Sequence, residues 1–372
     1  MQLKFQNQLG TKSFSIRLAI IFSLSLVCLI LFHLSRKKIP LPCYTQMMQA
    51  AHQMQDVLAE TRQYRQKLGL PINPVLDPAL SGLIGEEITP LTTTLGNLEA
   101  KQTALNPDFA ALITRWLWEL EIQSRETVAL QLSGSFPSLN IAAIIACEIV
   151  EANPVITSSI GASSFGANLP EMTYADVEKR LFERGIIRHR SQWITIGGLN
   201  DREILLWEDS DSLLNQVIRR TEYPLLHPNS LQESIQKKWE FFHSKGGIKV
   251  FINVGGNQAA LGNCSHSSRL PVGLVREAAY CQDDQRGLLM QFLERGTPVI
   301  QFLNVRSLAI RENLPITPTP PYFAGQSDIY FKISHPVWIK IILVIFLLIS
   351  WLFLRTPYRI PRSSSTTSTS IR

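Results

Sequence analysis

Two serines stand where a nucleophile would be useful. Ser133, in Leu132-Ser133-Gly134-Ser135, directly follows an apolar run and precedes a helical period, so it falls on a sharp strand-to-helix turn of the kind that exposes a hydroxyl. Ser163 lies in a second polar string, Ser158-Ser159-Ile160-Gly161-Ala162-Ser163-Ser164. A serine is a weak nucleophile until a neighbouring base takes its proton. For Ser133 that base would be His189 or His266, oriented by an acid such as Asp176 or Asp201, all brought in from distant segments. The chemistry would be hydrolysis or group transfer on a polymer, with Ser133 and Ser163 as the candidate catalytic residues.

The same turns suit ligand binding without catalysis. Glycine lets backbone N–H groups approach an anion or a carbonyl at the start of a helix. On that reading the candidate ligand-binding residues are Ser133, Gly134, Ser135, Ser158, Ser159, Gly161, Ser163, Ser164, Asn168, Gly255, Gly256 and Asn257. Their plainer role is turn and N-cap chemistry, which strand-to-helix connections need in any case. Other chemistries fail on residue type. Gly161-Ala-Ser-Ser-Phe-Gly166 has the spacing of a phosphate loop, but Ala167-Asn168 stands where lysine and a hydroxyl are required. No GxGxxG follows the first strand, no GxSxG occurs, and no spaced Cys/His set suggests a metal site, so neither cofactor nor metal is expected. Glu86 and Glu171 read as solvated charge rather than acid–base groups.

A sheet must hold these turns. Short apolar runs predict strands at 127–132, 154–159, 193–196, 248–254 and 298–303. Helical periods fall at 108–123, 139–151, 173–184, 212–220, 231–243 and 285–294. Alternation of this kind predicts an α/β fold: a mostly parallel, Rossmann-like sheet with helices on both faces, within a domain at 105–330. Residues 39–104 read as a stalk helix with a Met-containing packing face, followed by a Gly/Pro-rich segment; a long irregular stretch of that sort is often functional.

The net charge of +6 is misleading until it is partitioned. Residues 1–38 and 337–372 carry eleven basic residues and no acid, leaving the body with 25 basic against 30 acidic residues, or −5. Nucleic acid is therefore not an expected partner. Both basic ends flank apolar runs, at 18–34 and 337–354, long enough to read as two transmembrane helices. The basic residues after the second run place the C-terminus in the cytoplasm. With two spans, residues 1–38 comprise a cytoplasmic N-terminal tail and the first transmembrane helix at 18–34, and the large body lies outside the inner or plasma membrane. Residues 355–372 read as a disordered basic Ser/Thr tail. An outside location permits a disulfide, with Cys264 and Cys281 as the first pair to consider and free buried thiols as the alternative.

The turns also carry a family resemblance. Ser81-Gly82-Leu83-Ile84-Gly85 with Thr92-Thr93-Thr94-Leu95-Gly96, Leu132-Ser133-Gly134-Ser135-Phe136-Pro137 leading to Leu139-Asn140, the string from Ser158 to Asn168, and Asn253-Val254-Gly255-Gly256-Asn257 resemble the bacterial poly-gamma-glutamate system protein family over about residues 45–310. The resemblance implies a membrane-anchored accessory protein of capsule or envelope polymer biosynthesis and export. Its partners would be the poly-gamma-glutamate ligase and that ligase's integral-membrane partner. It implies no particular catalytic residue. A body of net −5 would contact a polyanion only in a local groove, for which Arg188, Arg190, Arg219 and Arg220 are candidates.

Overall fold

The structure, a computed structural model, describes residues 2–204, 210–264, 266–278, 281, 286–316 and 323–355. It divides into a body, Leu41–Tyr330, and a smaller unit formed by the two ends of the chain. The tail expected at 355–372 lies, beyond Arg355, outside the described residues.

The body is mixed α/β around a six-stranded sheet. In chain order its strands are β1 (Thr127–Gln131), β2 (Asn153–Ser159), β3 (Trp193–Thr195), β4 (Ile248–Val254), β5 (Gly273–Val275) and β6 (Val299–Phe302), arranged β5-β6-β4-β1-β2-β3 across the sheet. Every neighbouring pair is parallel except β5 and β6. The expected mostly parallel sheet is thus mixed, because a three-residue edge strand too short to show in the sequence adds to β6 in the opposite sense. The chain builds β1, β2 and β3 outward to one side, then places β4 on the other side of β1. The strand order therefore reverses between β1 and β4.

Buried strands explain the near-continuous apolar runs: all five residues of β1 are buried. Ala129, Val155, Phe251 and Val299 face one way and pack with Leu231, Ile235 and Phe242 of the helix Leu231–His243 and with Phe292 of Leu288–Glu294. The Phe251 and Phe292 rings stack at 4.6 Å between centroids. Val128, Leu130, Ile156 and Ile252, one residue out of step, are equally buried and turn to the other face, where Pro137–Ile149 packs.

The helix expected as a stalk is part of this body. Tyr44–Lys67 buries Met47, Ala50, Ala51, Met54 and Val57 and packs against Asp108–Glu119 and Pro137–Ile149. A Met-bearing apolar face shows that a helix is covered but not by what, which is why its sequence could not separate a stalk from a core helix. Asp108 fastens the far end of the body. Fully buried, it accepts hydrogen bonds from the backbone N–H groups of Gly325 (2.8 Å) and Ser327 (3.0 Å) and from the hydroxyls of Ser327 (2.6 Å) and Tyr330.

The smaller unit joins the helix Gln2–Leu34 to the helix Val337–Arg355 through an antiparallel ladder, Lys37–Pro40 with Phe331–Ser334. Phe32 stacks on His335 at 3.7 Å between centroids, and Ser35 Oγ lies 3.0 Å from His335 Nδ1. Of the two expected spans, one helix among the described residues, Ser15–Leu34, is long and apolar enough to cross a membrane. The apolar part of the C-terminal helix, Val337–Leu352, is shorter, roughly 24 Å at 1.5 Å per residue. Both helices expose large apolar side chains, among them Phe22, Leu29, Leu347 and Ile349.

Candidate functional site

A crevice of about 880 Å³ opens at the carboxyl ends of the parallel strands. Each contributes the residues just past its end: Ser133 and Ser135 after β1, Gly161 after β2, Gly197 after β3, Gly256 and Asn257 after β4, Leu303 and Asn304 after β6. It spans the β1/β4 reversal, where the connections diverge to opposite faces and leave a gap that a ligand can enter.

Seven of the twelve residues expected to bind a ligand line this crevice: Ser133, Ser135, Ser159, Gly161, Ser163, Gly256 and Asn257. The other five form its backing. Asn168 is completely buried; its amide donates to Glu86 O (2.8 Å) and Thr92 Oγ1 (2.9 Å), and its Oδ1 accepts from Glu86 N–H (3.0 Å). Ser158 accepts from Ser191 Oγ at 2.8 Å. Gly134 O accepts from Ala167 N–H, and Ser164 N–H donates to Thr94 O. Gly255, at φ +86°, passes so close to Ser133 that a Cβ there would collide with the serine hydroxyl. Asn257 lines the crevice yet also caps the short helix Gln258–Leu261, accepting from Ala259 N–H at 3.0 Å.

The histidine triad does not assemble on Ser133. His189 Nδ1 lies 2.9 Å from Glu148, and neither His189 nor His266 lines the crevice. Asp176 caps Tyr174–Glu183 through Thr173 and pairs with Arg220 at 2.6 Å. Asp201 does reach the crevice wall, but its carboxylate is occupied by Thr195 Oγ1 (2.9 Å), Ser234 and the ammonium of fully buried Lys238. The arginines proposed for a polymer groove do not line the crevice either. Arg188 donates to Glu148 O, Arg190 lies 5.1 Å from the Phe182 and Tyr223 rings, Arg220 serves Asp176, and Arg219 is exposed.

What the sequence reading missed is Lys101. It sits on the six-residue helix Leu98–Thr103, whose start is capped by Asn97 Oδ1 accepting from Ala100 N–H at 2.9 Å. Leu98, Lys101 and Leu105 share a helical spacing, Leu98 half-buried on the helix and Leu105 buried just past its end, and Lys101 between them is only 3% exposed. Its Nζ lies 2.7 Å from Ser163 Oγ, donates to Ser135 O, and stands 3.6 Å above the centre of the Phe136 ring. No carboxylate contact is seen for this amine among the described residues. Burial without a counter-charge pushes it down from the usual lysine range to about 7. The only sequence signal was a cation placed in an apolar stripe.

The Gly/Pro-rich segment holds Ser163 in place. The strand Thr92–Thr94 pairs in parallel with Ala162–Ser163. Gly85 N–H donates to Phe165 O (3.3 Å), Phe165 N–H donates to Glu86 O (2.8 Å), and Ser163 N–H donates to Ser135 Oγ (3.0 Å). Ser163 O accepts from Gly166 N–H at 2.9 Å, closing a turn in which Phe165 takes a left-handed φ of +61°. Gly96 packs on this turn; a Cβ there would lie 2.6 Å from Ser164 O and 3.1 Å from Ser163 Oγ.

Elsewhere, Cys264 and Cys281 form a disulfide with Cα atoms 6.1 Å apart. No group of three or more His, Cys, Asp or Glu side chains is placed to hold a metal among the described residues. No protein family, curated protein or solved structure matches the chain.

Proposed function

We propose that the chain is a membrane-tethered component of poly-gamma-glutamate biosynthesis or export, whose body takes the polymer or a glutamyl precursor into the crevice at the sheet edge. The observation that carries this reading is the crevice itself. Four of the five Ser/Gly strings on which the family resemblance rests, 92–96, 132–137, 158–168 and 253–257, contribute residues to it; the fifth, 81–85, does not. The strand order, with its reversal over the crevice, supports a Rossmann-like reading of the sheet. The polymerising step lies elsewhere, because activating a carboxylate with nucleotide needs the phosphate-binding lysine that this chain lacks at 167–168.

The tether is the N-terminal helix, with the shorter C-terminal helix as a second membrane element beside it. The antiparallel ladder between 37–40 and 331–334 supports a hairpin of two helices whose outer ends lie on one side of the membrane. The body is then extracytoplasmic, a compartment that permits the Cys264–Cys281 bridge.

Two measurements test this reading. Affinity capture of the full chain from membranes of its native host is expected to bring down a nucleotide-dependent amide ligase and a multi-span membrane subunit, and deletion of the gene is expected to lower exported polymer at least tenfold. Capture of neither subunit together with unchanged polymer would overturn the proposal. Separately, peptide mapping after alkylation in intact cells is expected to recover the linked Cys264–Cys281 peptides; fully alkylated thiols would place the body on the reducing side.

A further inference from the structure

We propose that Ser163 is a nucleophile and Lys101 its general base, a pair that forms an acyl-enzyme with an amide or ester carbonyl bound in the crevice. The argument begins with contact. Lys101 Nζ and Ser163 Oγ are 2.7 Å apart, within direct proton-transfer reach, and both line the same solvent-open crevice. They come from segments 62 residues apart, and each is fixed from behind. Lys101 is held by the carbonyl of Ser135 and the face of Phe136; Ser163 is held by its pairing with Thr94 and by the hydroxyl of Ser135. A lysine kept only for its charge would be matched by a carboxylate, as Lys238 is by Asp201. Lys101 is matched by a carbonyl, an aromatic face and a serine.

Its protonation state fits the role. The amine is depressed to about 7 by burial, so near neutral pH a large fraction has a free lone pair, which accepts the Ser163 hydroxyl proton. The other charged groups on the crevice are neutralised by partners: Arg306 lies 2.8 Å from Glu99, and Asp201 is paired with Lys238. Gly96 contributes by having no side chain, since a Cβ there would press on Ser163 Oγ.

The step balances as follows. Ser163 Oγ attacks the carbonyl carbon while its proton passes to Lys101 Nζ, forming an oxygen–carbon bond and an ammonium. The backbone N–H groups of Ser163, Ser164, Phe165 and Gly166 are already committed to internal acceptors, so the ammonium supplies the charge that faces the tetrahedral oxyanion. Collapse breaks the carbon–nitrogen or carbon–oxygen bond of the substrate, and Lys101 returns its proton to the leaving amine or alcohol. Water, or the amine of another chain end, then attacks the ester; Lys101 takes the incoming proton and restores it to Ser163 as the oxygen–carbon bond breaks. No oxidant, reductant or metal is consumed. The identity of the substrate as the γ-amide of a glutamyl polymer rests on the function proposed above; the Ser163–Lys101 chemistry does not.

The test uses a fluorophosphonate on the detergent-extracted full chain, read by intact mass and peptide mapping. One covalent adduct on Ser163 is expected, with a rate that rises with pH through about 7 and then levels. Ser163→Ala is expected to abolish it and Lys101→Met to slow it at least a hundredfold, while Ser244→Ala, an exposed serine away from the crevice, labels at the normal rate. Absence of the Ser163 adduct from protein with a normal thermal transition would overturn the proposal, and so would undiminished labelling of Lys101→Met. Purified poly-gamma-glutamate is assayed in parallel for chain length. Labelling that is intact without any polymer shortening upholds the pair and rejects the polymer as substrate. Shortening that persists in Ser163→Ala rejects the pair and leaves the polymer reading standing.

Discussion

Replacing Asp201 by alanine is expected to cost about 3–5 kcal/mol and to lower the thermal midpoint by roughly 10 °C. Asp201 and Lys238 are 1% and 0% exposed at their side chains, so neither charge has water to fall back on. The carboxylate also accepts from Thr195 on β3 and Ser234 on the helix Leu231–His243, and thus ties the sheet edge, the crevice-wall turn and that helix together. Alanine strands the ammonium and two hydroxyls in one step. Burial already lowers the Lys238 amine, and Asp201 is what opposes that shift. Without the carboxylate the amine sheds its proton more readily in the folded state than in the unfolded one. Stability of the variant therefore climbs with pH, and the deficit against the parent chain narrows above neutrality. The double variant Asp201→Asn/Lys238→Met is expected to recover more than half of the loss, since the Asn amide oxygen accepts from one hydroxyl, its N–H donates to the oxygen of the other, and Asn tolerates the left-handed φ of +62° at this position. Thermal unfolding at pH 6, 8 and 10 measures all three. A loss below about 1 kcal/mol would mean that the pair is solvated.

The parts of this architecture that were legible in the sequence are those in which local pattern and tertiary burial agree. β1, β2 and β4 are buried on both faces through most of their length, and 127–132, 154–159 and 248–254 carry the apolar clusters Val128-Ala129-Leu130, Val155-Ile156 and Val250-Phe251-Ile252 for that reason. The Ser/Gly strings were placed correctly at strand ends because turns demand those residues wherever a sheet sends its chain into a helix. The same demand explains why the string could not be sorted: Ser163 on the crevice and Ser164 behind it are adjacent and chemically alike, and which one faces inward depends on pairing with Thr92–Thr94, seventy residues away. Lys101 lay further out of reach. Its surroundings come from 133–136 and 163, none of which is near it in the chain, and a lone lysine on a short helix carries no periodicity of its own. The histidine triad failed from the opposite cause. His189 and Asp176 have suitable chemistry, but Glu148 and Arg220 claim them first. Residue type proposes a partner, and only packing assigns it.

Replacing Lys101 by methionine is expected to stabilise the body, and more so at pH 6 than at pH 10. Unfolded, this amine holds its proton up to its ordinary value of 10.5; folded, it lets go at about 7. Between those limits the unfolded chain binds more protons than the folded one, so the parent protein gains stability as pH rises from about 7 toward 10.5. Below about 7 both states are protonated and the whole burial penalty is present, at most about 5 kcal/mol for a shift of this size. Methionine has no such dependence. It also forfeits the contacts to Ser163 Oγ, Ser135 O and the Phe136 face, which offset part of the gain and leave about 2 kcal/mol, or roughly 5 °C, at pH 6. Melting curves of both proteins at pH 6, 8 and 10 and fixed ionic strength decide the matter. Should the variant be less stable throughout, with its curve parallel to the parent's, Lys101 would be an ordinary satisfied cation and its service as a base to Ser163 would be untenable. A gain that shrinks with pH marks a position where the sequence tolerates a destabilising amine that a methionine would remove. Such tolerance is expected where the amine is retained for chemistry rather than for the fold.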